Sequence, residues 1–80
     1  METFYDWLLK RYLNDISTQR YSYTPKMLAL DMQYDKENNG RSPEINTLNY
    51  LLTCLIEGGA CDECLECFFK CWLDYKNEVK

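Results

Sequence analysis

The stretch Leu51-Leu52-Thr53-Cys54-Leu55-Ile56-Glu57-Gly58-Gly59-Ala60-Cys61-Asp62-Glu63-Cys64-Leu65-Glu66-Cys67-Phe68 decides the fold. It reads as helix, stop, helix. Before the glycines, Ile45, Leu48, Leu51, Leu52 and Leu55 recur at spacings of three and four, which gathers them on one face of a helix. Gly58-Gly59 ends that helix, because glycine takes positive φ without a Cβ penalty. Asp62 and Glu63 then open another helix, where the N-terminal dipole favours negative charge. Leu65, Phe68, Trp72 and Tyr75 carry its apolar face towards the charged end Lys76, Glu78 and Lys80.

Working backwards, Ser42-Pro43-Glu44 predicts the start of the helix that Gly58-Gly59 closes, since proline suits a first helical position. Thr24-Pro25 predicts an earlier helix in the same manner. Met27 or Leu28, Leu30, Met32 and Tyr34 are its expected apolar residues, and Lys36-Glu37-Asn38-Asn39-Gly40 its end. Thr3 to Leu13 reads as the first helix. Thr3 stands as N-cap with Asp6 three residues on, a weak form of the capping box. Phe4, Trp7, Leu8 and Tyr12 mark its inner face, and Lys10 and Arg11 suit its C-terminal end. Asn14 to Tyr23 is polar and Tyr-rich and reads as a loop. There is no repeat and no alternating run long enough for a sheet. The expectation is an all-α, compact bundle of four main helices in a single domain, 1–80, with Phe4, Trp7, Phe68 and Trp72 at the centre of the core.

Composition narrows the function. The chain has 80 residues, 46% hydrophobic and 15% aromatic, with 9 basic against 13 acidic side chains and a net charge of −4. That is too apolar for a disordered chain and too short for two domains or a dinucleotide-binding fold. Histidine is absent, which removes the commonest general base and metal-binding imidazole. No secretory signal is visible at Met1 to Trp7, and no run approaches the roughly 20 apolar residues needed to cross a bilayer. The expected location is the cytoplasm. Five cysteines, at 54, 61, 64, 67 and 71, are an odd number that fits reduced thiols better than a disulfide framework.

The opening Phe4-Tyr5-Asp6-Trp7-Leu8-Leu9 resembles the first helix of the YozE-like, SAM-like family of small proteins from Gram-positive bacteria. The stretch from Cys61 to Tyr75, with an acidic start leading to Phe68, Trp72 and Tyr75, is similar to that family's closing helix. Pro25 to Asp35, with Leu28-Ala29, is similar to its second. The chain departs from the family in two places. Asn38-Asn39-Gly40-Arg41-Ser42-Pro43 stands where a Phe-Pro is usual, and Cys64, Cys67 and Cys71 stand where small residues are usual. The resemblance implies a SAM-like bundle and supplies no catalytic residues.

Three features bear on chemistry. Cys61-x-x-Cys64-x-x-Cys67-x-x-x-Cys71 has the spacing of a bacterial ferredoxin run. Its intervening residues favour a helix, however, and along a straight helix Cys61 and Cys71 lie about 15 Å apart. Four thiolates cannot then meet at one iron centre, so the expectation is core thiols taking the place of alanine, with no metal and no cofactor. Second, Glu44, Glu57, Asp62, Glu63 and Glu66 fall in a segment, 42–69, that has no Lys or Arg. Such a face repels nucleic acid and attracts basic partners. Third, the seven tyrosines exceed what a small core needs, and tyrosine is enriched at interfaces. Tyr21 and Tyr23, in the polar loop beside Arg20, are the expected exposed pair. No serine has a histidine partner, and the glycines are too sparse for a phosphate-cradling loop.

The function expected from these features is a non-catalytic module that binds a cytoplasmic protein through Glu57, Asp62, Glu63, Glu66, Tyr21 and Tyr23. A nucleic-acid-handling protein is the class of partner that an acidic surface would draw. In size and charge the chain resembles phage and mobile-element inhibitors such as anti-CRISPR and other anti-defence proteins. Two alternatives stand beside it: nucleic-acid binding through Lys10, Arg11, Arg20 and Lys26, and metal or redox chemistry at the cysteines.

Overall fold

Helix signals in the sequence become four helices: α1 (Phe4–Tyr12), α2 (Pro25–Asn38), α3 (Leu48–Glu57) and α4 (Asp62–Glu78). The structure is a computed structural model and describes residues 2–13, 23–43 and 45–79. Among the described residues there is no strand, and the chain is an all-α bundle. The loop expected between Asn14 and Tyr23, including Arg20 and Tyr21, lies outside the described residues except for Tyr23 itself.

Three of the helices start with the same chemistry. Thr3, Thr24 and Thr47 are N-caps, and their hydroxyls accept from the backbone N–H of Asp6, Met27 and Tyr50. Each thereby satisfies one of the amide donors that a helix start leaves without a carbonyl. The end of α3 is a Schellman turn. Gly59 N–H donates to Ile56 C=O and Ala60 N–H to Leu55 C=O, both at 3.0 Å, with Gly59 at φ +82°. Gly40, at φ +68°, follows the end of α2 in the same left-handed conformation.

α1, α2 and α4 bury their apolar faces against one another, and α3 closes the bundle. Phe4, Leu8, Leu28, Ala29 and Phe68 are completely buried, and Tyr75 is nearly so. Phe4 stands at the centre of the aromatic cluster. Its ring meets Phe68 and Tyr75 edge-on at 5.5 and 5.6 Å, and it also packs against Trp7 and Trp72. Such pairs add about 0.5–1.5 kcal/mol each beyond the area they bury.

Three expectations are corrected. α3 begins at Leu48, capped by Thr47, so Ser42-Pro43 is not its start. Ile45 is accordingly exposed. The Ser42 backbone N–H instead donates to the Tyr50 hydroxyl at 3.0 Å, and Ile45 N–H closes a turn on Ser42 C=O. The inner face of α2 is Leu28, Ala29 and Met32, while Met27, Leu30 and Tyr34 face outward. Trp72 lies at the edge of the core, half-buried, and the centre it was expected to hold belongs to Tyr75.

Candidate functional site

The Tyr23 side chain, just before α2, lies between two open grooves. The first, with a volume of about 470 Å³, runs between α2 and the α3–α4 turn. Tyr23, Asp31, Tyr34, Asp35, Cys61 and Cys64 line it, with the Gly58–Ala60 backbone forming its rim. The second, of the same volume, runs along α4 beside the end of α1 and the start of α2. Tyr12, Tyr23, Glu63, Glu66, Lys70 and Asp74 line it, together with Cys67 and Cys71. Together the grooves hold five carboxylates and one lysine.

Tyr23 is fixed by its neighbours. Its phenol donates a hydrogen bond to Asp31 Oδ2 from eight residues away, which is two turns along α2. Its oxygen also lies within reach of the Cys64 thiol. Burial, and then the bond to Asp31, push the phenol well above its ordinary pKa. Tyr23 is therefore half-buried and partnered, not the freely exposed loop side chain expected from sequence.

The expected acidic residues separate. Glu63 and Glu66 line the second groove. Asp62 is exposed in the first turn of α4 and lines neither groove. Glu57 is exposed but paired, because Arg41 Nη1 reaches its Oε1 at 2.9 Å. Arg41 sits one residue outside the cation-free segment, and folding brings it back onto that segment. Glu44 and Tyr21 lie outside the described residues. Asp31, Asp35, Tyr34 and Asp74 were not expected in the site. Asp31 and Asp35 are one turn apart on α2, a spacing visible in the sequence. That α2 faces the start of α4 is a tertiary fact with no local signature.

The basic residues of the N-terminal half are largely engaged. Lys10 Nζ pairs with Glu2 at 2.8 Å. Arg11 pairs with Glu78 and lies over the Trp7 and Tyr12 rings at 5.5 and 5.7 Å. Glu78 also accepts from Trp7 Nε1 at 2.9 Å. Lys26 is half-buried, and Arg20 lies outside the described residues.

The cysteines do not converge. Cys64, Cys67 and Cys71 lie on the core side of α4 and Cys54 on that of α3, all four buried. Cys61 is exposed at the N-cap, so it alone departs from the expected core placement. Among the described residues no three His, Cys, Asp or Glu side chains are placed to hold a metal ion. Cys67 and Cys71, one turn apart, contact each other. Their mutual hydrogen bond, then burial, push the Cys71 thiol up, whereas the bond from Cys71 lowers Cys67. No helix among the described residues is long and apolar enough to cross a membrane.

No protein-family model, no curated protein and no solved structure matches the chain.

Proposed function

We propose that the chain is a non-catalytic interaction module whose two grooves receive a basic cytoplasmic protein. The observation that carries this reading is the arrangement around Tyr23: Asp31 and Asp35 on one side, Glu63, Glu66 and Asp74 on the other, and tyrosines in both grooves. Carboxylates supply the field that draws a basic partner and excludes acidic ones. Tyrosine supplies contact area at low entropic cost. The proposed partner is a nucleic-acid-handling protein, whose basic surface would meet carboxylates where it otherwise meets phosphates. An inhibitor of the kind carried by phages and mobile elements is the role that fits such a partner.

The YozE-like, SAM-like resemblance belongs to the same proposal, because it rests on Phe4, Trp7, Phe68 and Trp72, which are core and edge-of-core positions. Binding nucleic acid directly is the weaker reading. Lys10 and Arg11 are already paired with Glu2 and Glu78, and phosphate contacts dominate such affinity.

The test is affinity capture from a nuclease-treated bacterial lysate, with the wild-type chain beside a Glu63→Lys, Glu66→Lys variant. Capture of a nucleic-acid-binding protein by wild type, competed by added DNA and lost with the variant, supports the reading. Equal capture by both proteins overturns the role of the second groove. Loss of every partner on nuclease treatment overturns the acidic reading altogether.

A further inference from the structure

We propose that Cys61 and Cys64 form a dithiol–disulfide couple that exchanges with low-molecular-weight disulfides at the end of the first groove. It shares the first groove with the proposed interaction surface but does not rest on that reading, because it needs no protein partner.

The helix register carries the pairing. Cys61 is the N-cap of α4 and Cys64 is three residues on. An N-cap side chain reaches back over that third position, as Thr3, Thr24 and Thr47 do here in accepting from the third-residue amides at 3.2, 3.3 and 3.2 Å. At α4 the cap is a thiol, and it makes no side-chain capping bond. Its sulfur is exposed and free to react. The sulfur behind it, on Cys64, is buried. An exposed attacking thiol with a shielded second thiol one turn away is the arrangement that a Cys-x-x-Cys couple requires. Cys67 and Cys71 have no exposed member, and Cys54 lies on another helix.

The surroundings supply the rest. Cys61, Cys64, Tyr23 and Asp31 all line the first groove, whose volume of about 470 Å³ suits a small molecule. The titratable groups facing Cys64 are Tyr23, Asp31, Cys61 and Cys67, and burial is the main cause holding its thiol above the ordinary value. The Tyr23 phenol, held by its hydrogen bond to Asp31, also stands beside Cys64, where its hydrogen bond favours the thiolate and works against burial. In the first step the Cys61 thiolate attacks one sulfur of the small disulfide. That S–S bond breaks, a mixed disulfide forms, and the departing thiolate takes the proton that Cys61 released. In the second step Cys64 gives up its proton and attacks Cys61 Sγ, breaking the mixed disulfide. The second small thiolate leaves and is protonated in turn. The protein dithiol has lost two electrons and two protons, and one disulfide has become two thiols.

The test uses the full chain in mixtures of reduced and oxidised glutathione, quenched by alkylation and mapped by peptide mass spectrometry. One two-electron transition, with the disulfide at Cys61–Cys64, is expected. A Cys64→Ser variant should hold a glutathione adduct on Cys61 that wild type does not accumulate. Tyr23→Phe removes a group that favours the Cys64 thiolate and should slow release of the second thiol by roughly tenfold, the effect of about one pKa unit. A lasting single adduct on wild-type Cys61, a disulfide mapped to another pair, or a disulfide between two chains would overturn the proposal. Wild-type mapping and the Tyr23 variant keep the test decisive should the Cys64 variant fail to fold.

Discussion

The Asn46 side chain donates from Nδ2 to the Tyr75 hydroxyl at 2.8 Å, across 29 residues of sequence. Its other atom, Oδ1, accepts from the Phe4 backbone N–H at 2.9 Å. The Tyr75 hydroxyl donates onward to the Glu2 carbonyl. One amide thus joins the start of α1 to the last turns of α4, at the rim of the aromatic cluster. It supplies Phe4 with an acceptor that a first-turn amide lacks within its own helix.

Removing that amide should therefore cost more than an ordinary surface change. Asn46→Ala is expected to destabilise the fold by about 1–3 kcal/mol, because it leaves partly buried groups without partners. Tyr75→Phe removes the hydroxyl alone. The two effects should be non-additive by about 0.5 kcal/mol or more, as for directly bonded neighbours. Urea unfolding of both single variants and the double variant measures this, and strictly additive losses would show that the bond contributes nothing.

The position of Trp72 sets a second expectation. Phe68 is completely buried at the centre of the cluster, whereas Trp72 is half-buried at its edge. Phe68→Ala should cost about 3–5 kcal/mol, a large share of the stability of so small a domain. Trp72→Ala should cost less, despite removing the larger ring. Thermal melts rank the two, and the reverse order would return Trp72 to the centre of the core.

Gly59 tests the turn that separates α3 from α4. An added Cβ there meets nothing within 4 Å, so any cost must come from the backbone at φ +82°. Gly59→Ala is expected to lose about 1–2 kcal/mol, the penalty for an L-residue in the left-handed region. Gly59→Asn should lose less, because asparagine tolerates that conformation better. Denaturant midpoints for the pair would show equal losses if a steric clash, not φ, were the cause.

That turn also shows what the sequence made legible. Thr3, Thr24-Pro25, Asn39-Gly40 and Gly58-Gly59 are local signals, and each marks a boundary that folding respects. The start of α3 has two such signals in succession. Ser42-Pro43 and Thr47 offer similar chemistry, and the choice between them is made elsewhere. Asn46 must stay outside the helix to bridge Phe4 and Tyr75, so the later cap prevails. α2 has apolar residues all around it, and only packing against α1 and α4 decides that Leu28, Ala29 and Met32 turn inward. The acids Glu63 and Glu66 were legible as a run without cations. The meeting of Tyr23 with Asp31 and Cys64 was not, because it joins α2 to α4.

The buried thiols set the response to alkali. Burial raises Cys64 above its ordinary 9.0, and a hydrogen bond with Cys67, then burial, raises Cys71. Burial likewise raises the Tyr23 phenol above 10.0. In each case the unfolded chain loses its proton first, so above pH 9 it binds fewer protons than the native chain, and stability falls as pH rises. Cys67 is lowered by its bond from Cys71, so its contribution grows as pH rises towards about 9 and is complete above it, where it does not offset the fall. The unfolding midpoint, with a phosphine reductant present, should not fall between about pH 7 and 8.5 and should fall beyond about pH 9. Each raised group contributes up to about 1.4 kcal/mol per pH unit across its window. Replacing Cys64 by Ala removes a raised thiol and one of the groups that raise Tyr23, and should make the alkaline fall shallower. An identical alkaline fall in that variant would mean that other groups, not the thiols inside α4, set the limit.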